Sequence, residues 1–181
     1  MRYAQIRELD ISNGEGVGVA LFVQGCHFHC YNCFNPDTWD FNSGKEWTQE
    51  VEDKLIELAN KPYIKRLSIL GGEPLADENL DGVLHLVNRF RILFPNKSIW
   101  IYSGYNWNQV MFPVITDDFN PSRDELLDKR KEIVKQCTVM VDGRYIDSQR
   151  DINLKWRGSK NQRVIDIKQS LQKGKVILWT E

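Results

Sequence analysis

Val19-Ala20-Leu21-Phe22-Val23 runs directly into Gln24-Gly25-Cys26-His27-Phe28-His29-Cys30-Tyr31-Asn32-Cys33, and this stretch decides how the rest of the chain is read. Five consecutive apolar residues describe a strand buried on both faces, the kind that sits inside a parallel sheet. Three cysteines follow at once, spaced Cys-x3-Cys-x2-Cys, with Gly25 allowing the turn out of the strand. Ligand-bearing loops at the C-terminal ends of strands are where open α/β sheets keep their sites.

Three other segments repeat this grammar. Leu67 to Leu70 reads as a strand that ends in Gly71-Gly72-Glu73-Pro74, Ser98 to Tyr102 leads into Ser103-Gly104-Tyr105, and Cys137 to Val141 leads into Asp142-Gly143-Arg144. Helical spacing fills the intervals. Thr48 is placed to cap a helix carrying Val51, Leu55, Ile56 and Leu58 up to Asn60. Asn79 to Leu93 carries an apolar stripe, and a charged helix spans about Asp124 to Gln136. Met111 to Arg123, with two prolines and Asp117-Asp118, predicts a surface insertion. Beyond Arg144 the pattern weakens until Val164, and the tail predicts a short helix ended by Gly174 and a strand from Lys175 to Trp179.

Strands alternating with helices imply a mostly parallel sheet with right-handed crossovers. A closed eight-stranded barrel needs about 250 residues, and this chain has 181. The expectation is therefore an α/β fold, an open partial (β/α) barrel in a single domain over 1–181, with the cysteine loop at 25–35 and the three other strand ends on one rim.

Twenty-four Lys and Arg balance 25 Asp and Glu, so no basic field speaks for nucleic acid. The N-terminal residues lack the apolar core of a signal peptide, and no apolar run reaches the roughly 20 residues that span a bilayer. The expected location is the cytoplasm, without a membrane. In a reducing compartment a cysteine cluster is read as a metal site before disulfides. Three thiolates can hold three irons of a 4Fe–4S cubane and leave the fourth open for a chelating substrate. The competing reading is a structural zinc site completed by His27, His29 or Cys137, which would make the protein a non-catalytic interaction module. Cys137 otherwise reads as a small apolar residue heading a buried strand.

Cys-x3-Cys-x2-Cys after one strand and Gly-Gly-Glu-Pro after the next resemble the radical SAM enzymes. Together with Trp156-Arg157-Gly158-Ser159 and Asn161-Gln162 they resemble, more narrowly, the activating enzymes of anaerobic ribonucleoside-triphosphate reductases. The resemblance covers nearly the whole chain in order. It implies that Cys26, Cys30 and Cys33 ligate the cluster and that S-adenosylmethionine is cleaved there reductively. The 5′-deoxyadenosyl radical so formed would make a glycyl radical on the large reductase subunit, with an electron donor such as flavodoxin. It implies that Gly71, Gly72 and Glu73 receive the methionine amino group and that Asn32, Cys33 and Phe34 lie by the adenine. Asp142 and Arg144 would hold the methionine portion, and Ser103 would reach the ribose. Another radical SAM activity, such as activation of pyruvate formate-lyase, is the alternative within the superfamily. The chain departs from the family at Asn13-Gly14-Glu15-Gly16, where Asn-Gly-Pro-Gly with a nearby arginine is common, and in the longer stretch from Met111 to Arg123.

Overall fold

The computed structural model describes residues 1–113 and 120–180. In chain order its strands are β1 (Arg2–Asp10), β2 (Gly18–Val23), β3 (Lys45–Glu46), β4 (Arg66–Gly71), β5 (Ser98–Ser103), β6 (Val139–Asp142) and β7 (Arg163–Asp166). The helices are α1 (Gln49–Ala59), α2 (Leu80–Leu93), α3 (Trp107–Met111), α4 (Pro121–Gln136) and α5 (Ile167–Lys173). The strands form one sheet in the order β3-β1-β2-β4-β5-β6-β7. Its centre, β2-β4-β5-β6, is parallel, while β1, β3 and β7 join antiparallel at the edges. Among the described residues the two edge strands do not pair, so the sheet stays open.

Strand residues alternate between faces, and here the two faces differ. Val19, Leu21, Leu67, Ile69, Ile99, Ile101 and Met140 pack with Leu55, Val83, Val87, Phe90 and Val134 of α1, α2 and α4 in the main core. The opposite face carries Ala20, Phe22, Leu70 and Tyr102, and beside them Trp100, Val139, Val141 and Val164. Trp156 and Trp179 from the C-terminal part meet Trp100 edge-on at 4.9 and 5.9 Å. Buried Arg66 of β4 lies on this second face. It pairs with Asp10 of β1 at 2.7 Å and donates to Ser68 Oγ at 2.6 Å.

The helices follow local rules. Thr48 accepts from the Val51 N–H at the start of α1, and Gly174 ends α5 in the left-handed conformation. α4 starts at Pro121, capped by Asn120, rather than near Asp124. Met111 ends α3, so both flanks of the expected Met111–Arg123 insertion are helical, and residues 114–119 of it lie outside the described residues. Cys137 caps α4, and β6 begins two residues later than expected. The expected strand from Lys175 to Trp179 is reduced to a single bridge, Ile165 to Leu178. After Gly174 the tail lies along the β7 edge, where Asp166 N–H donates to Ile177 O and Trp179 N–H to Val164 O, both at 2.9 Å. Among the described residues no helix is long and apolar enough to cross a membrane.

Candidate functional site

The ends of β2, β4, β5 and β6 surround one cleft of about 570 Å³ on the second face of the sheet. Of the residues singled out in the sequence, Cys26, Cys30, Cys33, Phe34, Gly71, Gly72, Glu73, Ser103 and Arg144 line it. Asn32 and Asp142 do not. Asn32 is exposed with φ +54° and forms the bend that presents Cys33 and Phe34. Asp142 is buried beneath the rim, where it accepts from the Trp107 N–H at 2.7 Å and from Arg163 Nε at 3.0 Å.

The cysteine loop is held from below by main-chain bonds. Gly25 N–H donates to Thr38 O at 2.8 Å and Cys26 N–H to Trp39 O at 3.0 Å, while Gly25 O accepts from Glu73 N–H at 2.7 Å. Asn79 Nδ2 bridges Gln24 O and Glu73 O, both at 3.0 Å. Asn35 N–H donates to Cys33 Sγ at 3.4 Å, and the main-chain N–H groups of Phe28 and His29 face Cys26 and that of Tyr145 faces Cys30 closely enough to favour the thiolates. Burial pushes the Cys26 thiol up to about 11 and raises that of Cys30, and the N–H groups oppose the shift. Donors aimed at sulfur suit thiolates bound to a cluster, whose reduction they favour. Among the described residues no three His, Cys, Asp or Glu side chains converge on a single ion. A cubane does not require convergence, because each thiolate takes a different iron.

The side chains considered as a fourth zinc ligand have other partners. His27 Nε2 meets Glu78 at 3.0 Å, and His29 stacks on Trp39 with centroids 4.6 Å apart. Cys137 lies at the opposite end of the parallel strands from the loop, buried, with its Sγ donating to Ile133 O at 3.3 Å.

The Gly71–Pro74 turn is clamped to its neighbours. Glu73 is buried, and its carboxylate accepts from Ser103 Oγ at 2.8 Å, Gly104 N–H at 2.7 Å and Leu75 N–H at 2.9 Å. Burial raises its pKa to about 7 against these donors. Gly71 turns with φ +102°, and a Cβ on Gly72 would collide with the Gly25 carbonyl. The absence of that side chain thus brings the turn against the base of the cysteine loop.

Several residues that shape the site went unread in the sequence. Phe28 lies between the Arg144 guanidinium, 4.3 Å from its ring centroid, and Tyr105 at 4.9 Å. Arg130 of α4 donates to Leu75 O at 2.9 Å, pairs with Asp77 and sits over the Tyr105 ring at 4.9 Å. Asn79 acts through its bonds to Gln24 O and Glu73 O, and Tyr145 packs edge-on against Phe34 at 5.1 Å. The Trp156–Gln162 motif was the one signal pointing to the far wall, and it supplies Trp156, Arg157, Gly158 and Gln162 to the cleft.

Residues 12–165 match the family model of the 4Fe-4S single cluster domain. The chain is 39% identical over 164 residues to the anaerobic ribonucleoside-triphosphate reductase-activating protein of Vibrio cholerae, covering 90% of this chain and 96% of that one. It is 38% identical over 166 residues to the protein of the same name from Escherichia coli K12, covering 91% and 97%. The protein of that name from Enterobacteria phage T4 is 33% identical over 164 residues, covering 91% and 93%.

Proposed function

We propose a function from one premise: the chain belongs to the family of anaerobic ribonucleoside-triphosphate reductase-activating proteins, and its 4Fe-4S single cluster domain spans most of its length. It acts as the activating enzyme of that reductase. Cys26, Cys30 and Cys33 hold a 4Fe–4S cluster with one open iron. When bound, the cluster would supply the electron for reductive cleavage of S-adenosylmethionine, the chemistry that generates a glycyl radical on the large reductase subunit. The electron comes from a carrier such as flavodoxin, and the work is done in the cytoplasm. In this reading the open sheet is the partial (β/α) barrel of the radical SAM type.

The observation that carries the proposal is the seating of a three-thiol loop against the Gly71–Glu73 turn in one cleft, the two tied by the Glu73 N–H to Gly25 O bond. The protein's own tasks are to bind, orient and keep water out. Carbonyls of Gly71 and Gly72 offer acceptors to the cofactor's ammonium, while Glu73, its carbonyl taken by Asn79 and Ala76 and its carboxylate by internal donors, fixes the turn and supplies charge nearby. Arg144 has the fork that suits the cofactor's carboxylate. Phe34 gives an apolar face to the adenine, Asn32 sets the bend that presents it, and Ser103 stands by the ribose. Asp142 acts from below by tying the β6 turn to Trp107 and Arg163.

The test is anaerobic reconstitution, with metal analysis and paramagnetic resonance. Wild type and Cys137→Ala are expected to carry about four irons, and Cys26→Ala, Cys30→Ala and Cys33→Ala to lose them. With cofactor, reductant and the reductase, the wild type should give a glycyl radical and 5′-deoxyadenosine. A colourless protein with one zinc would sink the proposal.

A further inference from the structure

Four arginines line the cleft. Three are seated on rings: Arg7 over Phe22, Arg144 over Phe28 and Arg150 over Phe34, with centroid distances of 4.4, 4.3 and 5.3 Å. Arg157 has no such seat and no ion pair among the described residues, and its Nε is buried without a hydrogen-bond partner. An orphaned buried donor costs about 1–3 kcal/mol, so it asks for an explanation.

The chain around it is held in costly geometry. Trp156 has φ +60°, a left-handed conformation that bulky residues avoid, and it is fixed there against Trp100. Gly158 lies under Phe34, where a Cβ would come within 2.5 Å of the ring. Gln162 then locks the bend, accepting from Gly158 N–H at 2.9 Å and donating to Gly143 O at 3.0 Å. Strain before Arg157, close packing after it and a clamp beyond all fix the C-terminal segment as a wall of the cleft with Arg157 in its lining.

The two acids of the cleft leave it without a counter-charge. The Glu73 carboxylate is buried among its own donors, and Asp151 accepts from Asn153 N–H at 3.0 Å and faces Lys160 at 3.7 Å. We propose that Arg157 binds the protein substrate, donating to main-chain carbonyl oxygens beside the glycine and turning its α-carbon toward the cofactor. A glycine has no side chain to grip, so its position must be set through the main chain, and a planar fork of N–H donors matches carbonyl acceptors. This rests on the function proposed above and assigns the recognition of its substrate.

The test compares wild type, Arg157→Met and Arg157→Lys, each reconstituted with its cluster, given cofactor, reductant and the reductase large subunit. The readout is glycyl radicals, counted by paramagnetic resonance, per 5′-deoxyadenosine formed. Arg157→Met is expected to lower this ratio at least tenfold and raise the KM for the reductase, with the cluster's iron content and absorbance kept. Arg157→Lys should recover part of the ratio. If Arg157→Met fails to take up iron, Arg157→Lys, which keeps the charge but loses the fork, decides on the same ratio. An unchanged ratio, or weaker cofactor binding with the ratio intact, overturns the assignment. A wild type that forms deoxyadenosine but no radical on the reductase overturns the proposed function itself.

Discussion

Gly72 carries more than the approach of a cofactor. A Cβ there would strike Gly25 O and come within 2.9 Å of Thr38 O, two atoms of the collar beneath the cysteine loop. The sequence alone suggests that a larger residue would weaken cofactor binding and spare the cluster. The packing gives a different expectation: Gly72→Val should lose iron as well, as metal analysis after anaerobic reconstitution would reveal. Full iron with weakened cofactor binding would return Gly72 to the narrower role. At Glu73, burial raises the pKa to about 7, opposed by the hydrogen bonds from Leu75, Gly104 and Ser103 and by the positive charge of Arg130 from α4. The carboxyl is protonated below that value and its charge is absent. Affinity for a ligand bearing an ammonium group is therefore expected to rise as pH climbs through about 7, by up to about tenfold per pH unit below it. Calorimetric titration of S-adenosylmethionine into reconstituted protein across that range checks it, and a flat profile would mean that Glu73 stays ionised or that its charge does not reach the ligand.

At the level of elements, the sheet is tied together by polar pairs as well as by its core. The Asp10–Arg66 pair reaches from β1 across β2 to β4, with both side chains at 1% exposure or less. Asp10 also receives Asn13 N–H at 3.0 Å and Asn13 Nδ2 at 2.7 Å, so one carboxylate orders the turn that follows β1. Asp10→Ala would leave Arg66 charged and buried, and breaking a buried pair in this way costs about 3–5 kcal/mol. Urea unfolding is the measure, with a lower midpoint at unchanged slope. A loss under about 1 kcal/mol would show that water reaches Arg66 once Asp10 is gone. Helix α4 matters to the site by a similar route, since Arg130 braces Leu75 and Tyr105 from behind the rim.

Across the whole molecule, helices insulate one face of the sheet and leave the other to the cleft. The walls of that cleft come from segments far apart in the chain. The cysteine loop is exposed at His27, His29, Tyr31, Asn32 and Phe34, and its main-chain anchors lie at its base. Ligation would add restraints at three points where the protein alone supplies few, and a site whose ligands bind only in the folded state stabilises that state. Hydrogen exchange is therefore expected to slow over residues 26–35 on reconstitution, with β4 and β5 nearly unchanged. Equal exchange in both forms would show a loop already rigid without its cluster.

The amino-acid sequence by itself determined the parallel centre of the sheet and the four strand ends that make the rim. Apolar runs such as Val19–Val23 record burial on both faces, and Gly25 and the Gly71-Gly72 pair record sharp turns after strands. Those signals are local and survive without any partner. The cysteine spacing is local too, which is why the candidate ligands were legible at once. Only the tertiary structure decided the edges and the fine wiring. β1 is polar along most of its length and β7 short, so each is a strand because a neighbour offers hydrogen bonds. The Asn79 bridge between Gln24 and Glu73, the Arg163 pair with Asp142 and the unpartnered Nε of Arg157 depend on groups brought together through space. Contacts of that kind leave no period in the chain, because nothing in a residue's own neighbourhood records what will be folded against it.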